Sequence, residues 1–265
     1  MRLGSMSGHG PIPGRSGSGL LCVAALVMLM TTTADATCAF QPQGEGRVSA
    51  IIDARTFRLV DGREIRLTAI EPLSGAAHAT AQLAELIDGR DVRLQGPDDA
   101  PDRYGRQPAL VFLDNADDPV QLELLKNGQA LFSGAMTDKP CATDMTQAEA
   151  EARKSRRGVW AAPTAIKNAE RPGDILPLVG QFVVVEGKVL SVRQAGTTFY
   201  VNFGRRWTEG FAATISKRMV AAFEATGFAP KSLENRRVRV RGWVELRGGP
   251  RIDIFQVGQI ELVGE

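Results

Sequence analysis

The apolar and polar positions of the first half of the chain follow two periods. Short runs rich in β-branched residues, or alternating between apolar and polar residues, predict strands. These runs are RVSAII, TFRLV, EIRLTAI, DVRLQ and PALVFL. Longer runs with helical spacing are AHATAQLAELIDG, PVQLELLKNGQALF and QAEAEARKSRRGVW. Asp61-Gly62 predicts a hairpin turn between the second and third strands. This half therefore predicts five strands, with one helix after the third strand and others near the end.

The second half repeats this order of elements. Its predicted strands are QFVVVEGKVLSVR, TTFYVNF, GFAATI, RRVRVRGWVEL and RIDIFQV, and its predicted helix is SKRMVAAFEATG. Between the halves, AAPTAIKNAERPGD has the Pro, Ala and charge mixture of a linker. The helix again falls between the third and fourth strands.

Five strands with this placement of helices are typical of a small barrel of the oligonucleotide-binding (OB) type. We therefore predict a mainly β protein with added helices, made of two OB-fold-type five-stranded barrels. The predicted domains are residues 37–163 and 178–265, joined by a linker over 164–177.

The segment before the first barrel has the features of a leader. An apolar run of about eleven residues follows Arg2 and Arg15, and it is too short to span a bilayer. Ala34–Ala36 has the A-x-A pattern of a cleavage site. We predict a signal peptide over residues 1–36 and an exported protein, periplasmic or secreted, with no transmembrane domain in the mature chain. An uncleaved N-terminal membrane anchor is the alternative.

Cleavage at that site would leave two cysteines, Cys38 and Cys141. Two cysteines in an exported protein predict one disulfide, and two free thiols are the alternative. His78 would then be the single histidine, so zinc sites with two histidine ligands are excluded.

Charge is distributed unevenly although the net charge is only +2. Residues 37–170 contain 16 Lys and Arg against 20 Asp and Glu, whereas residues 171–265 contain 14 against 9. Either the second half attracts a polyanion, or these modest charges keep each half soluble.

Four motifs occur in order along the first half: IIDART, IRLTAIEPL, DRYGRQPALVF and EAEARKSRRGVW. They are similar, in the same order, to motifs of one nuclease family. These motifs are an Asp-Gly-Asp-Thr loop, a strand with an Arg before Asp-x-Pro-Glu, an Asp-Lys-Tyr-Gly-Arg loop, and a final helix with a terminal Trp. Over about residues 46–160 the chain resembles the staphylococcal (thermo)nuclease family.

The resemblance implies calcium-dependent hydrolysis of phosphodiester bonds. In such a site the metal ion and two arginines stabilise charge on the phosphate, while a carboxylate activates water. Arg66 and Arg106 fall on the two catalytic arginines. The alternative is that Arg66 pairs with a neighbouring carboxylate and Arg106 with the acidic DDAPD loop.

Three positions depart from the family pattern. Arg55 replaces an Asp that would be a calcium ligand. The next ligand position is filled by Glu71, a carboxylate longer by one methylene, so Asp53 and Glu71 are the remaining candidate metal ligands. The segment around Ser74 lacks the general-base Glu. Calcium needs several oxygen ligands, so a cation at position 55 disfavours it. The sequence therefore establishes no cofactor, and Ca²⁺ is implied by the resemblance alone. We predict that Arg55, together with Arg66 and Arg106, forms a metal-free phosphate pocket.

The second barrel offers its own candidate residues. Basic and aromatic residues that could contact nucleic acid are Arg205, Arg206, Trp207, Arg239 and Arg241. Arginines alternating with valines along the fourth strand could equally form a solvated outer face.

Three functions fit these observations. The protein could be an exported nuclease-family protein that binds nucleic acid or another phosphodiester with calcium-dependent hydrolysis lost or altered. It could instead be an active phosphodiester endonuclease, or a noncatalytic scaffold that binds a protein partner in the cell envelope.

Overall fold

The computed structural model describes residues 10, 38, 40–72, 76–206, 208–227 and 229–264. Apart from residue 10, the predicted signal peptide lies outside these residues. Ala36–Glu265 form one compact unit. Among the described residues, no helix is both long enough and apolar enough to cross a membrane.

The first barrel is closed by five strands. The elements of this part are β1 (Gln41–Asp53), β2 (Thr56–Leu59), β3 (Glu64–Leu67), β4 (Ile70–Pro72), α1 (Ala76–Ile87), β5 (Asp91–Gly96), β6 (Arg106–Leu113), α2 (Val120–Lys126), β7 (Ala130–Phe132) and α3 (Lys139–Lys154). The barrel order is β1-β2-β3-β6-β5, with β3 and β6 parallel. The long strand β1 pairs with β5 through its first half and with β2 through its second half.

The alternation found in the sequence explains the barrel core. Phe57, Leu59, Ile65 and Leu67 point inward and are almost fully buried. The hairpin after β2 is closed because Asp61 Oδ1 accepts a hydrogen bond from Arg63 N at 3.0 Å, and Gly62 adopts a φ of 93°.

The disulfide predicted from the two cysteines is confirmed. Cys38 and Cys141 are bonded across 103 residues, and both are buried in the first core. Cys141 lies in the first turn of α3, where its backbone N donates to the N-cap side chain of Asp138 at 2.9 Å. The bond thus joins the chain just before β1 to the start of α3.

The second half forms an eight-stranded sheet. Its elements are β8 (Ile166–Asn168), α4 (Pro172–Ile175), β9 (Phe182–Lys188), β10 (Ser191–Ala195), β11 (Thr198–Asn202), β12 (Ala212–Ser216), α5 (Val220–Glu224), β13 (Arg237–Arg247), β14 (Gly249–Ile254) and β15 (Ile260–Leu262). The order is β10-β11-β12-β14-β13-β9-β8, with β15 also paired to β13. The β12–β14 pair is parallel, as β3–β6 is in the first barrel.

The strand predicted from QFVVVEGKVLSVR is divided into β9 and β10. At the break the backbone changes partner: Val189 N donates to Arg236 O at 2.9 Å, and Leu190 N donates to Asn202 O at 2.8 Å. β10 therefore begins where β9 ends, and the strands from β10 to β9 follow the same order as those of the first barrel. The prediction of a mainly β protein with added helices is confirmed.

The predicted linker over residues 164–177 is ordered rather than extended. It contains β8, which pairs in parallel with β9, and α4, whose Ile175 is fully buried in the second core. A small apolar cluster of Leu131, Ala152, Trp160 and Val184 joins the two barrels. The barrels therefore share a buried junction.

Candidate functional site

The candidate site of the first barrel is assembled from three neighbouring strands and a turn. Arg55 lies in the turn between β1 and β2, and its backbone O accepts from Leu67 N at 2.8 Å. The β2–β3 ladder sets Thr56 opposite Arg66, and the parallel β3–β6 ladder sets Glu64 opposite Arg106. The fold therefore brings the three arginines predicted from sequence to one region of the barrel.

Arg55 is held by two carboxylate residues. Its backbone N donates to Asp53 Oδ1 at 2.8 Å, which fixes the turn. Its guanidinium forms an ion pair with Glu71, and both side chains are largely buried, at 16% and 13% exposed. Nη1 also donates to Ile70 O at 3.5 Å. The cation at position 55 thus occupies the carboxylate that the family pattern assigns to the metal.

Arg106 is held by the acidic loop before β6. Its Nε and Nη2 donate to Asp102 Oδ2 at 3.0 and 2.7 Å. Asp102 Oδ1 accepts from the backbone N of Tyr104 at 2.8 Å and of Arg106 at 3.1 Å. The Arg106 guanidinium also lies 4.8 Å from the centre of the Tyr104 ring. These contacts match the alternative in which Arg106 pairs with the acidic loop.

The Asp102 carboxyl gives a pH prediction. The side-chain hydrogen bond from Arg106 lowers the pKa of Asp102 from 3.8 to about 2. A lowered folded-state pKa means that the ion pair contributes its stability above pH 3.8 and loses it as the pH falls through about 2. We expect carboxyl NMR to show an Asp102 midpoint near 2, and Arg106→Ala to move it toward 3.8. A wild-type midpoint already near 3.8 would contradict this assignment.

Arg66 differs from its two neighbours. Within the part of the chain that the structure describes, no hydrogen bond or ion pair engages its half-buried guanidinium. Burial lowers the pKa of Arg66, and the positive charges of Arg55 and Arg106 lower it further, against Glu71 and Asp102. Arginine nevertheless stays charged in proteins. Arg66 is therefore a partly desolvated cation that an anion would stabilise.

Calcium does not fit this arrangement. The described residues contain no group of three or more His, Cys, Asp or Glu side chains that could hold a metal ion. Glu71 is already engaged by Arg55, and Asp53 accepts from the Arg55 backbone. Both remaining candidate ligands are thus tied to a cation-bearing residue, which disfavours Ca²⁺. Ser74, in the segment that lacks the general-base Glu, lies outside the described residues.

Two of the predicted nucleic-acid contacts in the second barrel are corrected by the structure. Arg241 is 1% exposed and pairs with Glu149 at 2.8 Å and Glu261 at 3.2 Å. Arg239 is 11% exposed and pairs with Glu186 at 2.8 Å and with Glu261. Both guanidinium groups are therefore buried and neutralised rather than presented to a ligand.

The other candidates of the second barrel lie in the loop after β11. Arg205 and Arg206 are exposed, and Arg206 pairs with Glu209 at 3.1 Å. Trp207 lies outside the described residues. Arg205 is therefore an exposed cation on this loop.

Sequence reasoning missed Glu149. It lies in a helix whose charged pattern indicates a surface position, yet its side chain is fully buried. Its Oε1 accepts from Phe132 N at 2.9 Å, in addition to the Arg241 pair. No signal in the local sequence distinguishes it from the exposed Glu151 of the same helix.

Comparison with known proteins supports the geometry of the first barrel. Residues 67–162 match the family model described as staphylococcal nuclease homologue. The match includes Glu71 and Arg106, begins one residue after Arg66 and stops before the second sheet. No curated protein matches the chain. The resemblance predicted from the four motifs is confirmed for this region: residues 67–162 form a staphylococcal nuclease-like domain, which suggests a nuclease-family protein that binds nucleic acid.

Proposed function

We propose that the protein is an exported nuclease-family protein that binds phosphodiester groups of nucleic acid without calcium-dependent hydrolysis. The observation that carries the proposal is the ion pair between Arg55 and Glu71 beside Arg66, whose guanidinium has no partner among the residues that the structure describes. Arg55 stands where the family pattern has one metal ligand, and its ion pair engages Glu71, which stands where the pattern has another.

Charge supports binding of an anion at this site. The charged groups that act on Arg66 are the guanidinium groups of Arg55 and Arg106 and the carboxylates of Glu71 and Asp102, and these four charges balance, so the charge of Arg66 itself remains. A planar guanidinium can donate two parallel hydrogen bonds to a phosphate. A phosphodiester, which carries one negative charge, would balance the residual charge at Arg66.

The same contacts disfavour hydrolysis. Attack on a phosphodiester needs water to lose a proton to a nearby base. Glu71 is ion-paired with Arg55, and Asp53 accepts from a backbone N–H. Both carboxylates are therefore already engaged by Arg55 rather than left facing a water molecule.

Export is supported by the disulfide. A disulfide persists mainly in oxidising compartments, and Cys38–Cys141 joins residues close to the proposed cleavage site and the start of α3. A periplasmic or secreted location is consistent with this bond and with the leader pattern.

A binding assay tests the proposed site. We expect a labelled single-stranded oligonucleotide to bind in the presence of EDTA, and Arg66→Ala to weaken binding about tenfold or more because a charge-assisted hydrogen bond is lost. The matched control is Arg90→Ala, since Arg90 is exposed just before β5 and takes no part in the contacts of the three arginines. Fluorescence anisotropy gives both affinities, in protein whose exposed arginines Arg193 and Arg205 of the second barrel are replaced by alanine. Equal effects of the two substitutions in that protein would contradict the proposed site.

A further inference from the structure

The outer surface of the second barrel is set by strand alternation. In the paired strands β10, β11 and β12, the register aligns Arg193 with Tyr200 and Tyr200 with Thr214. The neighbours of these residues along each strand, such as Val201 after Tyr200 and Ala213 before Thr214, are fully buried in the second core. Arg193 and Tyr200 therefore lie side by side on the outer face of the sheet.

A groove of about 780 Å³ lies on this face. Its lining includes Leu190, Arg193, Tyr200, Arg205, Arg247 and Arg251. A smaller cavity of about 200 Å³ shares Tyr200, Arg247 and Arg251 and continues to Phe255. The two cavities thus form one track across the sheet, which we call the arginine groove.

The arginine groove carries a net positive charge. Four arginines and no Asp or Glu line the larger cavity, and the smaller cavity adds Asp253. Among the described residues, no ion pair involves Arg193 or Arg205, and both are exposed. Arg247 pairs with Glu245 at 3.1 Å and Arg251 with Asp253 at 3.0 Å, so these two are partly neutralised. At least two charges therefore remain available to an anionic ligand.

The arginine groove also contains exposed apolar and aromatic surface. Phe255 is 67% exposed and Leu190 is 43% exposed, while Tyr200 is half-buried. The Phe255 backbone is fixed because its N donates to Gln259 Oε1 at 2.8 Å. Exposed aromatic faces beside arginines are the combination that binds unpaired bases and the backbone phosphates between them.

The wall of the groove is built by close backbone contact. A Cβ at Gly249 would lie 2.5 Å from Gly210 O, so the β13–β14 hairpin can approach the β11–β12 loop only with glycine there. Gly248 in the same hairpin has a φ of 84°. The hairpin that carries Arg247 is thereby held against the loop that carries Arg205.

From these observations we propose that the arginine groove binds single-stranded nucleic acid, with bases stacked on Tyr200 and Phe255 and phosphates on Arg193 and Arg205. A duplex fits less well because its bases are stacked on one another and hide their faces. This site is separate from the Arg66 site and does not rest on the proposed function.

The test measures binding of a labelled 12-nucleotide strand by fluorescence anisotropy in EDTA, using DNA and RNA strands and the matching DNA duplex. Because the first barrel is also proposed to bind, every variant is made in protein that already carries Arg66→Ala. We expect Phe255→Ala and Tyr200→Ala each to weaken single-strand binding about fivefold to a hundredfold. Circular dichroism and thermal unfolding check that each variant is folded.

Salt dependence tests the phosphate contacts. The double variant Arg193→Ala/Arg205→Ala should reduce the slope of log affinity against log salt by about 0.7 for each contact removed. The control is Arg171→Ala, an exposed arginine of the second half that lines neither cavity. Duplex bound as tightly as single strand, or groove variants no different from Arg171→Ala, would overturn the proposal. A difference in affinity between the DNA and RNA strands would show which of the two nucleic acids the groove prefers.

Discussion

Replacing Glu149 with alanine is expected to lower the free energy of unfolding by about 3–5 kcal/mol. Glu149 and Arg241 are fully buried and pair at 2.8 Å between the two barrels. Burial acts to lower the pKa of Arg241, but the charges of Glu149 and Glu261 raise it overall, so Arg241 stays charged. Glu149→Ala would leave that charge with one carboxylate partner fewer and would leave Phe132 N without its acceptor.

Urea unfolding with wild-type protein, single variants and the double variant measures this effect. The double variant Glu149→Ala/Arg241→Ala should lose much less free energy of unfolding than the sum of the losses of the two single variants, because each single variant removes the same interaction. The control is Asp91→Ala, which breaks the exposed Arg47–Asp91 pair and should change stability by less than about 1 kcal/mol. Losses of similar size for Glu149→Ala and Asp91→Ala would show that the buried pair does not hold the barrels together.

Removal of the disulfide has the second large expected effect. The bond between Cys38 and Cys141 closes a loop across 103 residues. Constraining the unfolded chain over such a loop contributes about 4–5 kcal/mol in the chain-entropy description. We therefore expect Cys38→Ser/Cys141→Ser to lower the free energy of unfolding by up to that amount.

The same urea experiment is run with and without a reducing agent. Reduced wild-type protein and the double serine variant should unfold at similar, lower urea concentrations, and the serine variant should not respond to the reducing agent. An unchanged midpoint after complete reduction, verified by thiol titration, would contradict a stabilising role for the bond.

Local patterns predicted much of the fold. Strand alternation and the Asp61-Gly62 turn predicted the hairpin of the first barrel, because these signals are contained in adjacent residues. The partition of one predicted strand into β9 and β10 was not predictable, since it depends on Asn202 and Arg236, which pair with the break from distant strands. The linker composition likewise gave no sign that Ile175 would be buried in the second core.

The candidate site was predictable where a motif fixes the backbone. The four motifs located Arg55, Arg66 and Arg106, whose strands are neighbours in the first barrel. Pairing was harder to predict: Arg239 and Arg241 have the alternation of an outer strand face, but Arg241 pairs with a carboxylate 92 residues away in sequence. A contact between helix α3 and strand β13 leaves no periodic signal in either segment.

We propose that the Arg55–Glu71 ion pair stands where a calcium site would be. The most direct test is cleavage of single-stranded and duplex DNA by wild-type protein over a calcium titration, with Arg106→Ala as comparison. We expect no calcium-dependent cleavage by either protein, and we expect the wild type to bind single-stranded DNA in EDTA. Calcium-dependent cleavage by the wild type that Arg106→Ala abolishes would contradict it.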